Sequence, residues 1–335
     1  MKRSKAGLVV LIIGLVILVL SPIWKWGVGP SLVKVPDTID TTSVYDGTLT
    51  LFVDPTSFTL LPPELSVKIP LVITRRDVSQ PKKSSSSVAL IKETAVAIGP
   101  AGKAFQNTTM YYALDRKTSK NVPGHGSDAD RTGYYPILPI GAKKITYPLW
   151  GDSTGRVGEA KFVKTTMVSG LTTPATTCYV YQVNGAAAPT VAPPLGLPPT
   201  MTGAQIKALA SGIPGVNPAD VAGLVDTQGY PITYLDQTTA TIVGEPRTGS
   251  IVNASNSDTY TVDASAVGLG KIKLATISYK QVPENVAKVM DDTAENFGLL
   301  NMVGLWIPLG LLIAGLIITV LGLILFLRKK PAPAA

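Results

Sequence analysis

Two uncharged apolar runs, Gly7–Ile23 and Leu305–Leu327, stand at the ends of the chain, and between them apolar residues alternate with polar ones. At ~1.5 Å rise per helical residue the runs reach roughly 26 and roughly 35 Å, against a hydrocarbon core of ~30 Å. This pattern predicts one transmembrane helix over residues 6–24 and a second over 305–327. The first is short and leans on its flanks. Trp24 and Trp26 follow the first run and Trp306 opens the second, which suits an aromatic belt at one membrane interface. A cleaved signal peptide would share the basic start. However, no small-x-small site follows, and Ser21-Pro22-Ile23-Trp24 suits cleavage poorly. Gly7, Gly14, Gly310, Gly315 and Gly322 fit close packing of the helices with each other or with other subunits. Glycine is also simply common in membrane helices, so the pattern alone decides nothing.

Between the ends the period is two. Thr48–Val53, Ser66–Thr74, Val88–Ile98, Met110–Leu114, Lys144–Trp150, Lys161–Val168 and Thr176–Val183 predict a first group of strands. Pro231–Leu235, Thr239–Val243, Ser250–Asn253, Thr259–Asp263 and Lys271–Val282 predict a second. Residues 185–228 interrupt them. This stretch begins with an Ala/Pro-rich segment, Gly185–Pro199, that reads as a semi-rigid loop. It continues with two short helices, one opened by a capping box at Thr202–Gln205 and one by Asn217-Pro218 running to about Leu224. Ile206, Leu209, Ile213, Val221 and Leu224 give this pair an apolar face, for a lid over an apolar ligand, an element resting on the membrane, or the closure of the domain's own core. A stalk helix over 284–297 leads to the second span. The expected fold is membrane α+β. Two single transmembrane helices flank a large, mainly antiparallel-β extracytoplasmic domain over 25–300, with a short helical insertion and a C-terminal stalk helix.

Charge sets the orientation. Of 30 Lys and Arg, six lie at the ends (Lys2, Arg3, Lys5, Arg328, Lys329 and Lys330), leaving 24 against 22 Asp and Glu in between. By the positive-inside rule the tails 1–5 and 328–335 are cytoplasmic and the central domain lies outside, at the plasma membrane or cell envelope. A nucleic-acid partner is not expected, because the basic excess is terminal and not clustered on the domain.

The chemistry is sparse. One cysteine, Cys178, allows no intramolecular disulfide, and the single histidine, His125, sits in a Pro-Gly-His-Gly loop. No nucleophile elbow, phosphate loop or zinc-protease motif occurs, so neither catalysis nor a cofactor or metal is expected. Asp128 and Asp130 lack further ligands at calcium-loop spacing, and Asp291 and Asp292 read as the solvated face of the stalk helix.

Several short motifs carry a resemblance: Tyr45-Asp-Gly-Thr-Leu-Thr50, Asp115-Arg116, Arg131-Thr-Gly-Tyr-Tyr-Pro136 and Tyr147-Pro-Leu-Trp-Gly-Asp152. Gly170-Leu171, Tyr179-Val-Tyr181 and Glu245-Pro-Arg-Thr-Gly249 continue it, as do the terminal helix and span. In this order they resemble the actinobacterial porin PorA family of two-pass envelope proteins. The resemblance implies channel activity, yet the spans carry no polar stripe to line water, so a pore would require oligomers. From the residues themselves the leading expectation is a non-enzymatic envelope protein. Its outer domain would bind a partner, with apolar lipid and other envelope proteins as candidates beside the membrane lipid around the spans. An oligomeric pore is the first alternative and a self-assembling, homo-oligomeric structural protein the second.

Overall fold

In the computed structural model, residues 5–54, 57–61, 65–213 and 216–328 are described. The expected tails, with Lys2, Arg3, Lys329 and Lys330, lie almost wholly outside the described residues. The chain divides into two compact units, residues 1–34 with 294–335 and residues 35–293.

In the first unit, α1 (Lys5–Ile23) passes through a π-helical turn (Trp24–Val28) into α2 (Gly29–Leu32). Together they form one helix of 28 residues, longer than the uncharged run. The returning helix comprises α4 (Pro283–Asn301), whose residues up to Thr293 belong to the second unit, a second π-helical turn (Met302–Trp306) and α5 (Ile307–Leu327). Both helices are long and apolar enough to cross a membrane. The exposed faces of α1 and α5 are Leu, Ile and Val nearly all round, as at Ile12, Val16, Ile313, Ile317 and Ile324. A helix that is apolar on every side has no reason to face water.

The second unit is built on one antiparallel sheet. Its strands are β1 (Asp40–Leu51), β2 (Val67–Ser79), β3 (Val88–Ile98), β4 (Ala104–Asp115), β5 (Tyr147–Gly151), β6 (Arg156–Val168) and β7 (Thr176–Asn184). They continue with β8 (Ala188–Pro189), β11 (Thr233–Gly244), β12 (Ile251–Asp263) and β13 (Lys271–Gln281), while β9 (Thr200–Thr202) and β10 (Gly229–Pro231) pair separately. The spatial order is β4-β3-β2-β1-β13-β12-β11-β7-β6-β5, with β8 on β11. The two expected strand groups are therefore one sheet, joined where β1 pairs β13 and where β11 pairs β7. Pro231–Leu235 and Thr239–Val243, expected as separate strands, lie largely in the single β11, and Ser250–Asn253 merges with Thr259–Asp263 in β12. The Ser, Thr and Asn residues between them keep the period of two although they are polar, so the pairing never breaks.

The Gly185–Pro199 segment is not all loop, since β8 adds to the sheet through Leu235↔Pro189 and Asp236↔Ala188. In the insertion, α3 (Gly203–Ser211) carries the expected capping box. Thr202 Oγ1 accepts from Gln205 N at 3.3 Å and Gln205 Oε1 accepts from Thr202 N at 2.8 Å. The second helix is a 3-10 turn, Pro218–Val221, in which Asn217 Oδ1 accepts from Ala219 N, and its hydrogen bonds are of the i→i−3 kind as far as Leu224.

Candidate functional site: a charged belt on the inner face of the sheet

The strand register puts one column of residues on a common inner face. Tyr45 stands opposite Ile73 and Gln281, Asp77 opposite Glu93, Asn256 opposite Tyr279, and Thr238 opposite Asp258. With a side-chain period of two, Arg75, Asp77, Glu93, Asn256, Asp258, Asp236 and Thr238 share that face with Leu49, Leu71 and Ile277. The inner surface is apolar at one end and carries a belt of ionisable groups beyond it.

Arg75 is the hub of the belt. Its Nη2 donates to Asp77 Oδ2 at 3.2 Å, and its Nε lies 3.0 Å from Glu93 Oε2, an ion pair without a well-angled hydrogen bond. Tyr112 donates to Asp77 Oδ1 at 2.8 Å and Tyr135 to Glu93 Oε2 at 2.9 Å, while Arg75 stacks over the Tyr135 ring at 5.2 Å. Glu93 is 2% exposed. Burial pushes its carboxyl up to about 7, with Arg75 opposing the rise and Asp77 adding to it. Tyr45 and Tyr279, ring centroids 5.4 Å apart, connect this cluster to a second, acidic one. There Thr238 Oγ1 lies 2.8 Å from Asp258 Oδ1 and 3.3 Å from Asp236 Oδ2, and Ser153 also donates to Asp236 Oδ2. Burial and then the neighbouring Asp236 raise Asp258 to about 6, and burial raises Asp236 as well.

The sheet's two edge strands, β4 and β5, do not pair with each other. Residues 116–146 fill the seam with isolated bridges, Leu114↔Asn121, Lys120↔Tyr134 and Tyr134↔Leu149. Arg131, 3% exposed, rivets it. Its Nη1 donates to the β4 carbonyl of Tyr111 at 2.9 Å and to Asp128, and its Nε donates to Asp152 Oδ1 beyond β5 at 2.7 Å. Arg116 is equally buried and holds the carbonyls of Val35, Pro36 and Ser85. The seam is thus a packed segment held by a few charged hydrogen bonds.

The side chains singled out from sequence fall elsewhere. Ile206, Leu209 and Val221 are buried in an apolar cluster with Leu49, Leu71, Met201 and Leu274, and Ile213 and Leu224 pack onto it. They form the apolar end of the domain's core. In the helical unit, Gly7 faces the backbone at Leu325 and Phe326, Gly14 faces Thr319, Gly315 faces Leu18 and Gly322 faces Leu11. A Cβ on Gly315 would stand 2.7 Å from Leu18 N, so the backbones meet only because these residues are glycine. Gly310 has open space beside it and takes no part. Trp26 and Trp306 are 73% and 60% exposed, whereas Trp24 turns inward and donates from Nε1 to Val303 O at 2.9 Å.

Asp291 corrects one expectation. It is not merely a solvated face, because it accepts from the backbone N–H groups of Leu171, Thr172 and Thr173 at 2.9, 3.2 and 2.8 Å. Hydrogen bonds from Thr173 and Thr172 hold its pKa down at about 2. A Cβ on Gly170 would collide with that carboxylate, which explains Gly170-Leu171 as a motif.

Composition hid the belt. Its signal was polar residues in phase with buried apolar ones, as in Ile73-x-Arg75-x-Asp77, which looks like an ordinary alternating strand unless the facing strands are known.

The recurring motifs gather at these same structures. Arg131, Tyr134 and Tyr135 fill the seam, Tyr147–Asp152 forms its far edge, Asp115-Arg116 its near end, and Tyr45 lies in the belt. Glu245, fully buried, accepts from Arg247 Nε and Thr248 N to fix the β11–β12 turn. No curated protein sequence matches the chain significantly. Residues 6–324 match the family described as Porin PorA. By that coverage, which takes in both helices, the belt and the seam, the chain belongs to the Porin PorA family.

Proposed function

We propose that the protein is a membrane-anchored component of a cell-envelope pore. In this reading the two apolar helices hold the β-domain outside the cytoplasm, and the inner belt forms a polar vestibule plugged by residues 116–146. The observation that carries the reading is the belt itself. An inner sheet face with four carboxylates and one guanidinium is the wrong lining for a domain that only needs a core, since buried ion pairs seldom stabilise more than apolar packing. Polar lining, plugged by a loop, is how pore-forming barrels are built. The outer face argues against a barrel in lipid: Asp46, Lys68, Arg76, Gln237, Lys273 and Lys280 are all exposed there. The domain is therefore a vestibule beside the bilayer, and conduction through the bilayer would require several copies of the helix pair.

The family description supports the same direction. Binding of an apolar lipid beneath the helical insertion has less support, because Ile206, Leu209 and Val221 are engaged in the core. The test is solute permeation into liposomes carrying the full-length protein. The reading expects uptake of small cations ahead of anions, given the excess of carboxylates, and a weaker preference in Glu93→Gln. Vesicles as tight as protein-free ones would remove the pore reading and return partner binding to first place.

A further inference from the structure

We propose that the free edge of β4, residues 104–110, is an interface at which a second copy of this chain adds its own β4 antiparallel, by two-fold symmetry. Register shows which backbone groups are left over. Within residues 111–115 the odd-numbered positions point away from β3. Tyr111 O accepts from Asp128 N, Ala113 O accepts from Val122 N, and Asp115 N donates to Lys120 O. Strand geometry repeats every second residue, so Asn107 and Thr109 turn their N–H and C=O groups the same way. Among the described residues no backbone group pairs with them on that side.

The sheet has a second open edge, and the contrast between the two is informative. β5 covers β6 only as far as Ala160, which leaves residues 161–168 unpaired on that side. There Lys161, Lys164 and a register shift between Phe162 and Lys164 are the devices that keep strand edges apart. Residues 104–110 read Ala-Phe-Gln-Asn-Thr-Thr-Met, with no charge and no proline, and their register shift falls at the very start, beside Ile98. The neighbouring surface is apolar. Val72 stands opposite Ile98 and Ile98 opposite Ala104, with Phe105 next in line, and Val72, Ile98 and Phe105 are 46%, 36% and 42% exposed. A row of unpaired backbone groups flanked by exposed apolar side chains is what an added strand recognises.

Self-complementarity selects a second copy as that strand. Asp128 caps the edge at Tyr111 and β4 begins at Ala104, so each copy offers only 104–110. The antiparallel register that uses the whole window in both copies is centred on Asn107. It sets Ala104 opposite Met110, Phe105 opposite Thr109 and Asn107 opposite itself, and no like charges meet. Exposed Lys103 comes level with the acidic cap, Asp128, of the second copy. The contact is isologous and closes as a dimer. The pairing holds whether or not solute moves along the belt.

The experiment measures the mass of the full-length protein in detergent by light scattering over a range of concentrations, together with disulfide trapping. The expected result for the wild-type protein is a monomer–dimer equilibrium. Asn107→Cys under mild oxidant should run as a covalent dimer that reductant reverses. Directly opposed residues of such a pair have Cα atoms about 5.5 Å apart, within disulfide reach. The native Cys178 is buried and does not compete. Lys164→Cys, on the β6 edge, should stay monomeric under the same oxidation. Thr109→Pro removes an N–H that faces away from β3, so it spares the sheet. It deletes one hydrogen bond from each copy and should weaken the dimer on the order of tenfold or more. A wild-type protein that is monomeric at every concentration would overturn the proposal without recourse to variants. So would equal trapping at positions 107 and 164, a wild-type dimer that position 107 fails to trap, or a folded Thr109→Pro protein that dimerises normally. The last two outcomes would assign association to another surface.

Discussion

Replacing Arg131 by alanine should loosen the seam before it harms the rest of the sheet. The guanidinium ties the β4 carbonyl of Tyr111 to Asp152 and Asp128 across a gap that strand pairing does not close. Truncation leaves Asp152 with a partly buried charge whose Oδ2 already lacks a partner, while the Tyr111 carbonyl keeps the Asp128 N–H and the Ser127 hydroxyl. Breaking a buried ion pair on one side costs about 3–5 kcal/mol. The carboxylates keep some contact with solvent, at 38% exposure for Asp128 and 22% for Asp152, so the lower end, about 3 kcal/mol, applies. With a urea slope of about 3 kcal/mol per molar, that moves the unfolding midpoint by about 1 M. Arg131→Lys keeps the charge but cannot reach both sides at once, and should recover only a minor part. Adding Asp152→Asn to Arg131→Ala should restore about 1–2 kcal/mol, because it removes the stranded charge. An Arg131→Ala midpoint within about 0.2 M of wild type would refute the rivet, since the predicted shift is several times larger.

Further outcomes follow from the same contacts. Glu93 is raised to about 7 and Asp258 to about 6, so the folded protein binds more protons than the unfolded chain between each ordinary carboxyl pKa and these values. Stability should therefore fall as pH rises from about 4.5 to about 7, and Glu93→Gln should remove the Glu93 share of that slope, chiefly its upper part between about 6 and 7, in denaturation midpoints taken across the range. Burial pushes the Cys178 thiol up to about 12, so a thiol reagent at pH 8 should label it only after denaturant is added. In the helix pair, Gly322→Leu meets Leu11 Cα at 2.5 Å whereas Gly310→Leu meets nothing. The first should lower the helical melting temperature in detergent and the second should leave it unchanged. Leu209→Ala should cost about 2–5 kcal/mol by cavity formation, measured by urea unfolding, as expected of a core residue and not of a lid.

Much of the architecture was legible because it rests on periodicity. The terminal helices announce themselves by uncharged length, and β2, β3, β6 and β13 by alternation. The capping box at Thr202 was readable for the same local reason. What local pattern could not supply was pairing at a distance. That β1 lies on β13 is a contact across most of the domain, and it brings Tyr45 to Tyr279. The same long-range register sets Asp77 beside Glu93, and neither residue looks unusual in its own strand. The apolar stripe Ile206, Leu209 and Val221 was visible, but only packing shows that it faces inward. Asp291 reads as a solvated face because its partners, the amides of residues 171–173, carry no sequence signal at all.

In the proposed reading the belt is a polar path closed by the 116–146 segment, which single-channel recording of the full-length protein in planar bilayers probes without an intermediate step. The account predicts rare, cation-preferring openings for the wild-type protein, frequent openings for Arg131→Ala, and reduced cation preference for Glu93→Gln. Electrically silent membranes with both the wild-type protein and Arg131→Ala, at protein levels shown to be inserted, would contradict it.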